Sequence, residues 1–115
     1  MASLKTFDTA AFERKALQAA DMLRALANER RLMILCKLVE WGEANVTRLA
    51  EAVGLSQSAL SQHLAKMREE GIVTFRRDAQ TVWYRIADAR TEALLATLHR
   101  LFCPPAGKTK KGSAS

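Results

Sequence analysis

The stretch Ser56-Gln57-Ser58-Ala59-Leu60-Ser61-Gln62-His63-Leu64-Ala65-Lys66-Met67, with Ile72-Val73-Thr74-Phe75-Arg76-Arg77 and Thr81-Val82-Trp83-Tyr84-Arg85-Ile86 just after it, decides the fold. In its first part Leu60, Leu64 and Met67 recur at i, i+4 and i+7, the spacing that stacks side chains on one face of a helix. Ser56 is a good N-cap and Gly71 a good stop, so the spacing predicts a helix from Ser56 to about Glu70. Beyond Gly71 the period changes. Two runs rich in β-branched and aromatic residues flank the polar Asp78-Ala79-Gln80, which predicts a β-hairpin with Arg76 and Arg77 beside its tip.

Working outward from this unit, Gly54-Leu55 reads as a tight turn, and a short helix over residues 47–53 precedes it with Leu49, Ala50 and Val53 inward. Trp41 to Asn45 turns the chain at the end of an earlier helix, which Asn28 caps and which covers residues 29–40. There Leu32, Leu35, Cys36 and Val39 share one face. A first helix over residues 10–27, capped by Asp8 or Thr9, carries a stripe of Phe12, Ala16, Ala19, Leu23 and Leu26. At the other end Asp88 caps a last helix reaching about Cys103, with Leu94, Leu95, Leu98, Leu101 and Phe102 as its apolar face. Pro104-Pro105 stops it, because the residue before a proline is pushed out of helical geometry. The expected architecture is mainly α with a β-hairpin wing: four helices, a hairpin and a fifth helix, the winged helix-turn-helix order. Residues 1–8 are expected to form a flexible N-terminus, 9–103 one folded domain, and 104–115 a disordered basic tail rich in Gly, Ser and Lys.

Charge is a weaker guide than pattern. Of the formal +6, three charges come from Lys108, Lys110 and Lys111 in the tail, which leaves +3 over residues 1–103. A basic balance favours a polyanionic partner, but that excess alone does not single one out. The chain has no apolar run of membrane-spanning length and no secretion signal at its start, so a cytoplasmic protein with no membrane partner is expected. It also lacks a Cys-x-x-Cys pair, a Ser/His/Asp set and a phosphate-binding loop, so neither an enzyme nor a resident cofactor is expected.

With Leu60, Leu64 and Met67 inward, a helical wheel turns Ser58, Gln62 and Ala65 outward, puts Ser61 and Lys66 on the flanks, and leaves Gln57 in the open first turn. That face suits a major groove. Ser and Gln both donate and accept, Gln pairs bidentately with adenine, and small residues permit close approach. The helix start at Ser56 offers free N–H groups to a phosphate. Arg76, Arg77 and Gln80 on the hairpin suit phosphate or minor-groove contact. His63 lies beside the buried stripe, where packing and DNA contact are equally compatible with its position. The candidate DNA-contacting residues are therefore Ser56, Gln57, Ser58, Ser61, Gln62, His63, Lys66, Arg76, Arg77 and Gln80.

Leu26-Ala27-Asn28-Glu29-Arg30-Arg31, Ser56 through Leu64, and Tyr84-Arg85-Ile86 together resemble the ArsR/SmtB repressor family, over about residues 9–103. The resemblance implies a homodimer built on the first and last helices, binding an inverted-repeat operator in double-stranded DNA. The apolar stripes of those two helices fit an interface or a core equally well. Many members of the family respond to metals, and their ligand patterns are incomplete here. Leu35-Cys36-Lys37-Leu38 has no second thiol two residues away, Asp88-Ala89-Arg90 has Arg where a His belongs, and His99 is the one His of the last helix. No metal site is expected.

The two cysteines, Cys36 on the second helix and Cys103 at the end of the last, are similar in placement to the sulfide- and persulfide-responsive branch of the family, the BigR, SqrR and HlyU group. That resemblance implies a redox-sensing pair that a persulfide or polysulfide converts to an intrasubunit di- to tetrasulfide link, with release of the DNA and control of sulfide-detoxification genes. A general thiol redox sensor and a zinc-, copper- or arsenite-responsive repressor are the alternatives. Read from the residues alone, Cys36 is equally a buried small hydrophobe, and the order in which the two thiols react is open.

Overall fold

The computed structural model describes residues 8–103, in the order α1 (Thr9–Leu26), α2 (Glu29–Trp41), α3 (Val46–Val53), α4 (Gln57–Glu69), β1 (Val73–Asp78), β2 (Thr81–Ile86) and α5 (Ala89–Phe102). The expected basic tail and most of the expected N-terminal arm lie outside the described residues. The element order is the one expected, a winged helix-turn-helix with a two-stranded antiparallel wing.

Each helix starts under a side chain that accepts from an otherwise unpaired backbone N–H of the first turn: Asp8, Asn28, Asn45, Ser56 and Asp88. Asn45 corrects the third helix. Its Oδ1 accepts from Arg48 N at 2.8 Å, so α3 begins at Val46, and the residue read as the end of a turn is a cap.

Ile34, Leu35, Leu38, Leu49, Leu60, Leu64, Met67, Val73 and Leu95 form the fully buried centre, contributed by α2, α3, α4, β1 and α5. On α2 this corrects the expected face. Ile34, Leu35 and Leu38 point to the centre, while Leu32, Cys36 and Val39 are only partly buried against it. The reason is that α2 packs against α3, β2 and α5 at once, so its buried sector is wider than one stripe.

α1 meets this core through Met22, Ala25 and Leu26. Leu23 of its stripe is 57% exposed and Leu17 beside it 69%, and the end of α5 is open as well, with Leu101 70% and Phe102 77% exposed. Each stripe is therefore divided, with Leu26 and Leu95 in the core and Leu23, Leu101 and Phe102 outside it.

β1 pairs with β2 from Val73↔Ile86 to Asp78↔Thr81, so Asp78 belongs to the ladder and the turn is Ala79-Gln80 alone. Ala79 takes φ 56, a left-handed conformation unusual for a residue with a Cβ. On the outer side of β2, Ala44 exchanges two backbone hydrogen bonds with Tyr84, of 3.0 and 2.8 Å. The connection between α2 and α3 thus extends the wing by one more short pairing.

Candidate nucleic-acid interface

The turn between α3 and α4 is closed by Gly54 at φ 71, whose N–H and that of Leu55 both donate to the Ala50 carbonyl. A left-handed residue is needed there, and glycine reaches it without a Cβ clash. Two residues later Ser56 starts α4, its Oγ accepting from Ala59 N at 3.1 Å. The hydroxyl hydrogen of Ser56 and the amides of Gln57 and Ser58 remain available to an anion.

Along α4, Leu60, Leu64 and Met67 are completely buried, and Gln57, Ser58, Ser61, Gln62, Ala65 and Lys66 are exposed. His63 is half-buried between the two faces. The helix therefore presents a short polar surface with one lysine, fixed on a rigid apolar base.

The wing divides what the sequence puts side by side. Arg76 and Arg77 are neighbours in β1, and successive strand residues point to opposite faces. Val73, Phe75 and Arg77 share a face with Val82, Tyr84 and Ile86, and that face turns toward α4. There the guanidinium of Arg68 lies 4.5 Å and that of Arg77 5.6 Å from the Phe75 ring centre, with Tyr84 tilted against the same ring. Arg76 lies on the other face. Its Nη2 and Nε donate to the two carboxylate oxygens of Glu43 at 2.6 and 3.1 Å, and this bond holds the Glu43 carboxyl below its ordinary pKa. The two arginines are thus not one patch: Arg77 stays beside α4, and Arg76 is committed to the loop after α2. Gln80 is exposed at the tip.

Two supporting residues had no signal in the sequence. Arg31 is only 12% exposed, and its guanidinium donates to both oxygens of Glu70 at 2.7 and 3.1 Å and to the Ala25 carbonyl at 2.9 Å. It ties the C-terminal end of α4 to α2 and to the end of α1, and it holds the Glu70 carboxyl below its ordinary pKa. Arg68 likewise joins α4 to the wing through Phe75. The first bridges residues 39 apart and the second joins a helix to the strand that follows it, so helical periodicity reveals neither.

The thiols lie elsewhere, on the seam where α2 packs against α5. Both are free and partly buried. Burial first, then the nearby Cys103 and Glu40, push the Cys36 thiol above its ordinary pKa. The fold thus brings the two sulfurs within electrostatic reach of each other, although their residues are far apart in sequence. His99 Nε2 lies 3.8 Å from Glu40 Oε1 on the same seam. Among the described residues no group of three or more His, Cys, Asp or Glu is placed to hold a metal ion, and no helix is long and apolar enough to cross a membrane.

Residues 28–74 match the family described as bacterial regulatory protein, arsR family. The chain is 47% identical over 91 residues to the transcriptional activator HlyU of Vibrio cholerae, covering 79% of this chain and 83% of that one. The structure of reduced HlyU from the same organism superposes with a TM-score of 0.74 at 46% identity, covering 82% of this chain and 98% of that one. The transcriptional repressor BigR of Xylella fastidiosa superposes with a TM-score of 0.75 at 36% identity, covering 86% and all of its length. These likenesses span the helix-turn-helix, the wing and the flanking helices together. The chain therefore belongs to the ArsR family, as a winged helix-turn-helix transcriptional regulator that binds DNA and not an enzyme.

Proposed function

We propose that this regulator is a homodimeric repressor that reads an inverted-repeat operator with α4 and the wing, and lets go when Cys36 and Cys103 become linked through sulfur. The observation that carries the reading is the convergence of the only two cysteines of the chain on the α2–α5 seam, away from the reading surface. The inducer class is a persulfide or polysulfide, and the controlled genes are those of sulfide detoxification.

On the DNA side, Gln57, Ser58, Ser61, Gln62 and Lys66 meet base edges and phosphates, with Ser56 and His63 at the margins of that face. Arg77 and Gln80 supply phosphate contacts from the wing, and Arg76 does so to the extent that Glu43 releases it. The dimer forms through the apolar residues that α1 and the end of α5 leave uncovered, Leu17, Leu23, Leu101 and Phe102 among them. Burying exposed apolar residues in a partner is the ordinary use of such a surface.

The switch follows from the position of the seam. A link between Cys36 and Cys103 fixes α2 against a helix of the dimer interface. The two reading helices of such dimers must meet half-sites about 34–36 Å apart, so a small rotation misaligns both. A coupling of about 1–3 kcal/mol weakens binding by about 5- to 150-fold.

The test is a titration of operator binding with zinc, copper, arsenite, peroxide and a polysulfide, with intact mass measured after each. Stepwise gain of sulfur with loss of operator affinity is the expected result for the polysulfide arm. Normal release of DNA by a Cys36→Ser, Cys103→Ser double variant would refute the reading. Release by peroxide alone would convert it to a general thiol sensor.

A further inference from the structure

The α2–α5 seam has two rungs. Cys36 and Glu40 are four residues apart on α2, and His99 and Cys103 are four residues apart at the end of α5. Residues at that spacing are stacked neighbours on a helix, about 5–6 Å apart between their Cβ atoms. The Cys103 N–H donates to the His99 carbonyl at 2.8 Å, which keeps that spacing at the helix end. The contact of His99 with Glu40 at 3.8 Å makes one rung, and the two thiols make the next.

The rungs treat the two thiols differently. Cys36 is inside a helix packed on several sides, and the group one turn beyond it is a carboxylate held in place by Lys37 Nζ at 3.3 Å and by His99. Cys103 follows the last helical residue in extended backbone, φ −112 and ψ 114, and the group one turn before it is an imidazole. The charged and titratable groups along the seam are Lys37 and Glu40 from α2 and His99 and Arg100 from α5, and Arg100 is turned back onto Thr97 of its own helix.

We propose that this asymmetry orders the chemistry of the pair: Cys103 attacks the sulfur donor first, Cys36 closes the link, and Glu40 is the positioning residue that keeps Cys36 second. The inference rests on the sulfur-sensing reading above and adds the order and its cause. The thiolate is the nucleophile, and a carboxylate one turn away disfavours a second negative charge at Cys36. Burial of Cys36 acts in the same direction and is the larger cause, with Glu40 adding to it.

With a persulfide donor R–S–SH, the Cys103 thiolate attacks the outer, sulfane sulfur. The donor S–S bond breaks, RS⁻ leaves and is protonated, and Cys103 carries S–SH. Cys36 then gives its proton to solvent and attacks the Cys103 sulfur. A Cys36–Cys103 disulfide forms, HS⁻ leaves, and hydrogen sulfide results. Two thiols are oxidised and the sulfane sulfur of the donor is reduced, so no other oxidant is needed. Longer links follow when Cys36 takes a sulfur from a second donor molecule before closure.

The experiment uses the full chain in its reduced, DNA-binding form with less than one equivalent of glutathione persulfide. The reaction is quenched with iodoacetamide at short times, and the first sulfur is located by peptide mapping. The first sulfur is expected on Cys103, in the natural chain and in Cys36→Ser alike. In Glu40→Gln the share found on Cys36 should rise by about two- to threefold, from the loss of one negative charge at this range. Glu40→Asp should restore the original share, which a packing defect would not do. Operator binding by the reduced Glu40→Gln chain confirms that it is folded. First appearance on Cys36 in the natural chain overturns the order while leaving sulfur sensing intact. An unchanged share in Glu40→Gln removes the role of Glu40. Failure of both thiols to take up sulfur ends the sulfur-sensing reading itself.

Discussion

The reading surface and the thiol seam are built on opposite principles. α4 rests on three fully buried side chains, is capped by Ser56, and is tied at its far end by Arg31 and Glu70. At the thiol end of the seam, two partly buried free thiols lie beside a 3.8 Å contact between His99 and the exposed Glu40. A groove-reading helix must hold its polar groups in one geometry, whereas a switch needs an element with two accessible arrangements. On the proposed reading, the α4 surface is anchored directly on the core, whereas the two thiols lie at the partly buried edge of the α2–α5 packing.

The contrast can be broken most severely from inside α4. Leu64→Ala removes a wholly buried side chain and should cost about 2–5 kcal/mol in a denaturant melt, as cavities in packed cores do. Cys36→Ala on the half-buried seam should cost much less. Equal losses would mean that the two regions are equally rigid.

Next in size is the chemistry of the α4 surface. Gln62→Ala should leave the melt unchanged and weaken specific operator binding by about 1–3 kcal/mol, the usual worth of a bidentate base contact. A titration against operator and unrelated duplex measures both parts, and a uniform loss on all duplexes would place Gln62 on the backbone instead.

Within the wing the two arginines should separate. Arg77→Ala is expected to lower the salt slope of binding by about one unit, the signature of one lost phosphate contact. Arg76→Ala should lower it less, because its guanidinium is already engaged by Glu43. Equal slopes would show that the Glu43 bond opens on the DNA.

The smallest effect concerns pH. Arg31 lowers the Glu70 pKa in the folded chain, so this pair contributes stability above the ordinary carboxylate value. That contribution disappears as pH falls through the lowered value. The natural chain should lose more stability than Glu70→Gln on going from pH 6 to below 4, by less than about 1 kcal/mol, since Glu70 is partly exposed. Parallel melts of the two proteins measure the difference.

Element order and the α4 stripe were legible because they depend on local rules: a 3.6-residue period, a cap, a glycine stop, a change of period at Ile72. What escaped depends on contacts across the fold. Asn45 read as turn material because a cap and a turn use the same residue type. The inward face of α2 shifted to Ile34, Leu35 and Leu38 because three neighbours surround it. Arg76 and Arg77 looked like a single basic tip until strand alternation and Glu43 separated them. Arg31 and Arg68 gave no signal at all, their partners being 39 residues away in one case and an aromatic ring of the wing in the other.

The pairing of Ala44 with Tyr84 has a mechanical consequence. The loop leaving α2 is bonded through its backbone to β2 at Ala44, and the next residue, Asn45, is the cap of α3. The end of α2, the wing and the start of the helix-turn-helix therefore meet at one joint. On the proposed reading, leverage applied to α2 at Cys36 would reach the helix-turn-helix and the wing in the same stroke.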